Sequence, residues 1–245
     1  MDISTMKTIL EIVNGVKIEE LALIPTENGT LVSGIAPDKT AAIFTEIPEK
    51  IEDHPMGILS VKGMLSRMNL FDLEKVSVEP TNKEKSGESY VAALSFKQGR
   101  KKSYAVTTHP KMLRVPKEFP DTEPCFQIGL SKEYINYLKK VVSSIQTVSR
   151  KEVFFGLEYD GGDEAELSII GDDDTFKEPI DAFGVEGESR SMKISWEVSG
   201  VILTLTQAIQ WIQEDEDVLI DVDHLGVGKV SVGALEVLLP PASSS

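Results

Sequence analysis

The segment SKEYINYLKKVVSSI, at positions 131–145, carries the clearest structural signal in the sequence. Its apolar residues recur every three or four positions, which is the spacing of one face of an α-helix. Ser131 is a favourable N-cap, and Glu133 suits the first turn. The segment therefore predicts an amphipathic helix, with an apolar stripe formed by Tyr134, Ile135, Leu138, Val141, Val142 and Ile145.

Three other segments have the same helical period. They are Ile3–Asn14, which is followed by Gly15; about Val61–Phe71, with Ser60 as a candidate cap; and about Thr204–Gln213. Most of the remaining sequence alternates apolar and polar residues in short runs, which is the period of a β-strand. Turn residues separate these runs, so the sequence predicts an α+β fold made mostly of antiparallel strands.

The predicted strands fall into two groups along the chain. In the first half they are Val16–Ile24, Thr30–Ile35, Thr40–Phe44, Lys75–Val78, Ser89–Phe96 and Ser103–Thr107. In the second half they are Phe126–Leu130, Glu152–Tyr159, Ala165–Ile170, Met192–Val198, Val218–Val222, Lys229–Val232 and Leu235–Leu239.

The order of the elements repeats once. A helix, several strands, a second helix and several more strands occur in each half, although the residues themselves do not repeat. Between the halves, residues 109–124 contain Pro110, Pro116, Pro120 and Pro124, a composition typical of an extended linker. We therefore predict an N-terminal domain at 1–108, a linker at 109–124 and a C-terminal domain at 125–245.

Composition excludes several classes of protein. The chain has 245 residues and a net charge of −15, so it cannot grip nucleic acid with its whole surface. Cys125 is the only cysteine and His54, His109 and His224 are far apart, so no metal site or cofactor is predicted. No apolar run approaches the ~20 residues that span a bilayer. The N-terminus lacks the basic region of a signal peptide, so we expect a cytoplasmic protein without membrane contact.

The polar faces of the predicted helices carry lysine, arginine and neutral polar residues but few acidic residues. Acidic residues concentrate in other segments, including Glu46–Asp53, Asp160–Glu166 and Glu214–Asp217. Lysine, arginine and neutral amides can hold phosphates without reading base sequence. An ordinary solvated helix face is the alternative, since lysine is common on any exposed helix. The candidate DNA-facing residues are Lys7, Lys62, Arg67, Lys132, Asn136, Lys139, Lys140 and Arg150.

Local sequence adds a resemblance to a known family. The segment MGILSV at 56–61 is similar to the Leu-Gly-Ile-Leu-Ser segment that precedes the second inner helix of phage clamps. Leu138–Gln146 followed by Glu152–Asp160 resembles the second-domain helix and strand of the same proteins, and the helix beginning at residue 3 also fits. The chain thus resembles the DNA polymerase sliding clamps, most of all those of T-even-type bacteriophages.

The resemblance implies an architecture and a function. Each subunit is expected to have two similar domains with antiparallel sheets outside and amphipathic helices on the inner face. Three subunits would form a homotrimeric ring around duplex DNA and tether the replicative DNA polymerase. An ATP-dependent clamp loader would load the ring, the protein would not be an enzyme, and a viral clamp would work in the host-cell cytoplasm. Exposed sheet edges of neighbouring subunits would pair or pack.

The resemblance also implies a pocket for partner peptides beside the interdomain linker. Its candidate residues are Leu113 and Val115 in the linker, with Val237, Leu238, Leu239 and Pro240 near the C-terminus. Each of these residues, taken singly, could equally belong to the core or to the linker.

Two other classes of function stay open at this stage. Asp160, Asp163 and Glu164, or Asp172–Asp174, could serve an enzyme as acids or metal ligands, although neither group matches a calcium loop and charged hairpin tips are commoner. No nucleotide-binding, nucleophile or zinc-protease motif is present. An acidic, β-rich viral structural or interaction protein is the other alternative. The basic cluster Lys97–Lys102 lies at the end of the segment Thr81–Lys102, which is longer than the family leads us to expect; it could be a solubilising turn or could face DNA or a clamp loader.

Overall fold

The computed structural model describes residues 2–117, 123–184, 191–213 and 216–242. The chain divides into two compact units. Unit 1 comprises Met1–Asp38 and Ala42–Phe119, and unit 2 comprises Lys39–Ala41 and Pro120–Ser245. None of the helices in these described ranges is both long and apolar enough to cross a membrane.

Unit 1 has two helices and two antiparallel sheets. The helices are α1 (Ile3–Gly15) and α2 (Val61–Met68). The strands are β1 (Leu21–Pro25), β2 (Thr30–Ile35), β3 (Ala42–Ile47), β4 (Met56–Ile58), β5 (Ser77–Lys85), β6 (Glu88–Gln98) and β7 (Lys101–Val106). One sheet has the order β4-β1-β2-β3 and the other has the order β5-β6-β7. A single turn of 3-10 helix follows at Pro110–Met112.

Unit 2 has two helices against one antiparallel sheet. The helices are α3 (Lys132–Val148) and α4 (Val198–Ala208). The strands are β8 (Pro124–Leu130), β9 (Phe154–Tyr159), β10 (Glu164–Ile170), β11 (Thr175–Gly184), β12 (Met192–Glu197), β13 (Val218–Asp223), β14 (Gly228–Val232) and β15 (Leu235–Leu239). They lie in the order β12-β9-β10-β11-β8-β13-β14-β15.

The repeat predicted from element order is confirmed. Each unit contains a helix, four strands, a second helix and three strands, and unit 2 has the additional strand β8 in front. The two helices of a unit pack against each other, α1 on α2 and α3 on α4. The α+β class and the antiparallel pairing of the strands are therefore as expected.

The helices form because their apolar stripes are buried. Ile135, Leu138, Val142 and Ile145 of α3 are all buried, and the Ser131 hydroxyl accepts a hydrogen bond of 3.2 Å from the backbone N–H of Tyr134. The cores of both units are aliphatic and aromatic, and Trp196 is the largest fully buried side chain. Its indole N–H donates to the carbonyl oxygen of Gly226 at 2.9 Å, so its polar atom is satisfied.

The fourth helix was predicted in the wrong place. It spans Val198–Ala208 rather than Thr204–Gln213, and it begins directly after strand β12 without a side-chain cap. Its β-branched residues resemble a strand in sequence, but burial of Val198, Val201 and Leu205 favours the helix over their intrinsic propensity.

Two strands were not predicted. Strand β4 is only three residues long, and β11 contains Pro179, which reads as a break in a strand. Pro179 is opposite Glu166 of β10, in the part of β11 that pairs with β10 alone, and proline is tolerated where a strand has one free edge. The predicted insert Thr81–Lys102 is the outer part of β5 together with β6 and two tight turns.

Candidate functional site

The predicted DNA-facing residues of unit 1 lie on α1 and α2. Lys62 and Arg67 are exposed on α2, opposite its buried residues. The Arg67 guanidinium donates to the carbonyl oxygens of Gly63 and Tyr104, at 2.8 and 3.2 Å, which fixes its position on the surface. Lys7 is half-buried and 3.6 Å from the carboxylate of Glu11, so its charge is partly balanced. Of the three predicted residues in this unit, Lys62 and Arg67 are therefore the stronger positive groups.

The predicted residues of unit 2 lie on α3 and just after it. Lys132, Asn136 and Lys140 are exposed, and Lys139 is half-buried. Within the described ranges no carboxylate lies within 4.0 Å of the three lysines. Arg150 is exposed two residues beyond the helix, where its backbone N–H donates to Asp172 at 3.1 Å. The exposed face of α3 is therefore positive and open to solvent.

The helices are chemically distinct from the remainder of the chain. They hold six lysines and arginines and two acids, whereas the whole chain has 25 basic and 40 acidic residues. Helix α4 carries no charge, and its outward residues, such as Thr206 and Gln207, are neutral and half-buried. Such faces can attract a phosphate backbone without sequence-specific contacts, because they offer cations and few base-reading groups.

The acidic groups considered for catalysis lie in hairpin turns. Asp160, Asp163 and Glu164 flank the β9–β10 turn, where the Asp160 carboxylate accepts from the backbone N–H of Gly162 at 3.3 Å. Asp172–Asp174 form the β10–β11 turn. Among the residues that the structure describes, no three histidine, cysteine or acidic side chains are grouped to hold a metal ion.

The predicted pocket residues are mostly buried within their own units. Val237, Leu238 and Leu239 belong to the core strand β15, with exposed fractions of 0%, 3% and 0%. Leu113 is buried in unit 1, and Val115 and Pro240 are half-buried. The residues 114–116 run along the unit 1 sheet, where the Ser33 hydroxyl donates to the carbonyl oxygen of Pro116 at 2.6 Å.

An open groove lies next to Pro240 in unit 2. It has a volume of about 510 Å³ and contains Phe154, Met192, Ile194, Leu225, Pro241 and Ala242. Strand β12 is the edge of its sheet, and the backbone N–H of Ala242 donates to the carbonyl oxygen of Ser195 at 2.7 Å. An extended chain thus already bonds to this edge at one point. Sequence reasoning missed the groove because four separate segments form it.

In unit 1 the corresponding edge strand, β4, is paired with the chain's own backbone at Thr108. Thr108 and Gly57 exchange two backbone hydrogen bonds of 2.7 and 2.8 Å, as Ala242 and Ser195 share one in unit 2. The buried His109 ring lies 3.1 Å from the Glu88 carboxylate. The Lys111 ammonium donates to the same carboxylate at 2.6 and 2.7 Å and holds the pKa of Glu88 below its usual value.

Each unit also has a strand with an unpaired edge and exposed apolar or aromatic side chains. Among the residues that the structure describes, strand β7 pairs only with β6, and Tyr104 and Val106 are 57% and 64% exposed on it. Along Thr175–Asp181, β11 pairs only with β10. Beside it, the ring of Tyr137 lies 6.0 Å from that of Tyr134 and 5.9 Å from that of Phe176. Burial, with the Glu178 carboxylate 3.1 Å away, raises the pKa of Tyr134.

Comparison with known proteins places this arrangement in a fold class. No protein-family model matches the sequence, and no curated protein is detectably similar. Solved structures match almost the whole chain. PCNA of A. fulgidus, bound to the C-terminal region of FEN-1, has a TM-score of 0.63 at 15% identity, over 98% of this chain and 96% of that one.

Two further structures agree. The PCNA2–PCNA3 complex of Sulfolobus tokodaii has a TM-score of 0.60 at 13% identity, over 98% and 97% of the two chains. The Helicobacter pylori beta clamp, bound to a DNA ligase peptide, has a TM-score of 0.59 at 12% identity, over 99% of this chain and 65% of the clamp chain. The chain therefore has the sliding-clamp fold, with two similar domains.

Proposed function

We propose that the chain is a subunit of a DNA sliding clamp, a non-enzymatic ring that encircles duplex DNA and tethers a replicative DNA polymerase. The observation that carries the proposal is the charge of the helices. Lys62 and Arg67 are exposed on α2, and Lys132 and Lys140 on α3, in a chain whose net charge is −15. A ring retains DNA by topology, so weak and salt-screened phosphate contacts are sufficient and permit sliding.

The domain bounds, the number of subunits, the clamp loader and the location are proposed from the resemblance in sequence to T-even-type phage clamps. Residues 1–108 and 125–245 would be the two clamp domains, joined by the linker 109–124. Three copies would close the ring, an ATP-dependent clamp loader would open it, and the protein would work in the host-cell cytoplasm. The helices of both units would line the opening.

Assembly would use the two unpaired strand edges. Strand β7 of one subunit would pair with β11 of the next, bringing Tyr104 and Val106 against the aromatic rings of Tyr137 and Phe176. The two surfaces differ, so the contact is head-to-tail and generates a closed ring if the rotation is right. Pairing would also remove two exposed edges that otherwise favour aggregation.

Partner peptides would bind at the groove of unit 2. Two of the matching clamps are bound to a segment of FEN-1 and to a DNA ligase peptide. In this chain the apolar side chains of Met192, Ile194 and Leu225 can receive an apolar anchor, and the edge of β12 can pair with an extended backbone. Of the earlier candidates, Pro240 precedes Pro241 of the groove, and the buried Val237, Leu238 and Leu239 would support it from the core. Leu113 and Val115 belong to unit 1 and stay separate candidates for contact with a partner peptide.

The proposal is tested by retention on circular DNA. Replacing Lys132, Lys139 and Lys140 by glutamate should reduce retention on a nicked plasmid, and processive synthesis, by about tenfold or more, because phosphates would then face acids. Gel filtration should detect an unchanged assembly, near three times 26.9 kDa if it is a trimer. Linearising the plasmid should release the unsubstituted protein.

Three exposed residues, Lys50, Lys83 and Lys117, provide a control with the same charge change away from the helices. Glutamate at these positions should leave retention within about twofold of the original. Equal retention on linear and circular DNA would exclude encirclement. A monomer or a large shell in solution would instead favour an acidic viral structural protein.

A further inference from the structure

The hairpin between β6 and β7 ends in a cluster of positive charge that the clamp helices do not include. We call Lys97, Arg100, Lys101 and Lys102 the basic tip. Gly99 adopts a φ of +57°, which allows the tight turn. Arg100, Lys101 and Lys102 are exposed, and in the described part of the chain no acid lies within 4.0 Å of them.

This cluster is unfavourable for the hairpin itself. Lys97 and Lys102 are directly opposite each other on neighbouring strands, where like charges destabilise a sheet. Glu79 balances the charge of Lys97, because its carboxylate lies 2.5 Å from the Lys97 ammonium. The remaining three cations have no such balance. Like charges that are placed together at a cost in stability, with no structural gain, are typical of a functional surface.

The basic tip presents charge on both faces of the hairpin. Phe96 stacks on Phe71 at 5.8 Å, and the Gln98 side chain accepts from the backbone N–H of Asp72 at 3.1 Å. The face with these side chains is therefore the one that the segment after α2 covers. Lys101 is opposite Gln98 and lies on this same face, whereas Lys102 lies on the other.

The tip is also continuous with the basic surface of α2. Arg67 of α2 donates to the carbonyl oxygen of Tyr104 at 3.2 Å. Tyr104 is two residues along β7 from Lys102, which corresponds to roughly 7 Å at the rise of a strand. Arg67 thus connects the exposed surface of α2 with the strand that begins at the basic tip.

We propose that the basic tip is a second phosphate-binding surface, which contacts the backbone of duplex DNA beyond the part that the helices hold. The identity of the nucleic acid rests on the proposed clamp function. A duplex fits because its phosphates recur along both strands, and a tip with cations on both faces can contact more than one of them. The binding would be independent of sequence and strongly dependent on salt.

The experiment replaces Arg100, Lys101 and Lys102 by alanine and measures binding by fluorescence anisotropy. The probe is a labelled linear duplex of about 30 base pairs, titrated between about 50 and 200 mM salt. The triple variant should bind about tenfold more weakly at the lower salt concentration. The slope of log K against log salt should fall by about 2 to 3, since each lysine or arginine on a phosphate contributes about one.

Two controls separate binding from folding and from general charge. Alanine at Lys50, Lys83 and Lys117 removes the same charge elsewhere in unit 1 and should change neither affinity nor slope. Arginine at Lys101 and Lys102 keeps the charge and should retain the original slope. An unchanged slope in the alanine variant overturns the proposal, as does a loss no larger than in the control. Loss of loader or polymerase binding with intact DNA binding also overturns it and assigns the tip to a protein.

Retention on nicked circular DNA distinguishes this proposal from the clamp function. If the tip variant is still retained on circles while its affinity for the linear duplex falls, both proposals stand. If the unsubstituted protein is not retained on circles, the clamp function fails. The anisotropy result then still decides whether the tip binds DNA.

Discussion

Thr204 is the residue whose environment fits its chemistry least. It is fully buried in α4, and its hydroxyl has no hydrogen-bond partner among the described residues. Burying a hydroxyl without a partner costs stability, whereas a methyl group of similar size in that place does not. Other buried hydroxyls are satisfied; that of Thr107, for example, donates to the carbonyl oxygen of Val91 at 2.7 Å.

Replacing Thr204 by valine should therefore increase the free energy of unfolding by about 1 kcal/mol. Urea denaturation measures it, as a higher midpoint with an unchanged slope. Serine at the same position keeps the hydroxyl and loses the methyl group, so it should lower the midpoint. A valine variant that is less stable than the original chain would mean that the hydroxyl is satisfied in solution.

At the scale of elements, the N-terminus of α1 gives a stability that depends on pH. The Asp2 carboxylate accepts from the backbone N–H of Thr5 at 3.0 Å and from its hydroxyl at 2.8 Å. The bond from the Thr5 backbone is the main reason that the pKa of Asp2 lies below its usual 3.8. A lowered pKa in the folded state stabilises the fold above the usual value, and this contribution is lost as the pH falls through the folded pKa.

Alanine at Asp2 should consequently lower the free energy of unfolding by about 1 kcal/mol near neutral pH. The difference from the original chain should shrink as the pH is lowered below the usual pKa, because the carboxylate then becomes neutral in both states. Asparagine keeps a capping oxygen without titrating, so it should retain most of the stability and remove the pH dependence. A constant difference at all pH values would contradict the role of the charge.

Helices α3 and α4 differ in how well the sequence predicted them, and the difference has a physical reason. Helix α3 was predictable because its cap, its first-turn acid and its stripe all lie in one local segment. The helical spacing of the apolar residues also indicated which side chains point outward, so the exposed positions of Lys62, Arg67 and Lys132 could be predicted from sequence. Helix α4 was misplaced because burial in the core, rather than propensity, determines where it begins.

The groove of unit 2 could not be predicted in the same way. Phe154, Met192, Leu225 and Pro241 come from distant segments, and only the strand order of the sheet brings them together. The apolar run at the end of β15 pointed to the neighbourhood, but Val237 and Leu239 face the core. Local periodicity tells which residues are apolar, and it does not tell which of them line an opening.

For the whole molecule, the proposed ring predicts a sensitive position on β7. Glutamate at Val106 would place a charge in the proposed contact with β11 of the next subunit, where burial of a charge is costly. We expect the solution mass to fall to 26.9 kDa, with little change in the stability of the single chain because the side chain is 64% exposed there. Light scattering and urea denaturation measure the two quantities.

The matched control is glutamate at Val148, which is 63% exposed at the end of α3. This change should leave the mass of the assembly unaltered. If both variants dissociate, the effect is one of net charge and not of the β7 edge. If neither dissociates, the ring is held together by other surfaces.

The burial of Cys125 in strand β8 has a practical consequence. It is the only cysteine in the sequence and is 2% exposed, so thiol-reactive dyes will react slowly with the native chain. A cysteine introduced at an exposed position will then be the principal site of labelling. A donor dye near β7 and an acceptor dye near β11 would report energy transfer across each junction between subunits, so that the opening and closing of a ring could be followed in real time.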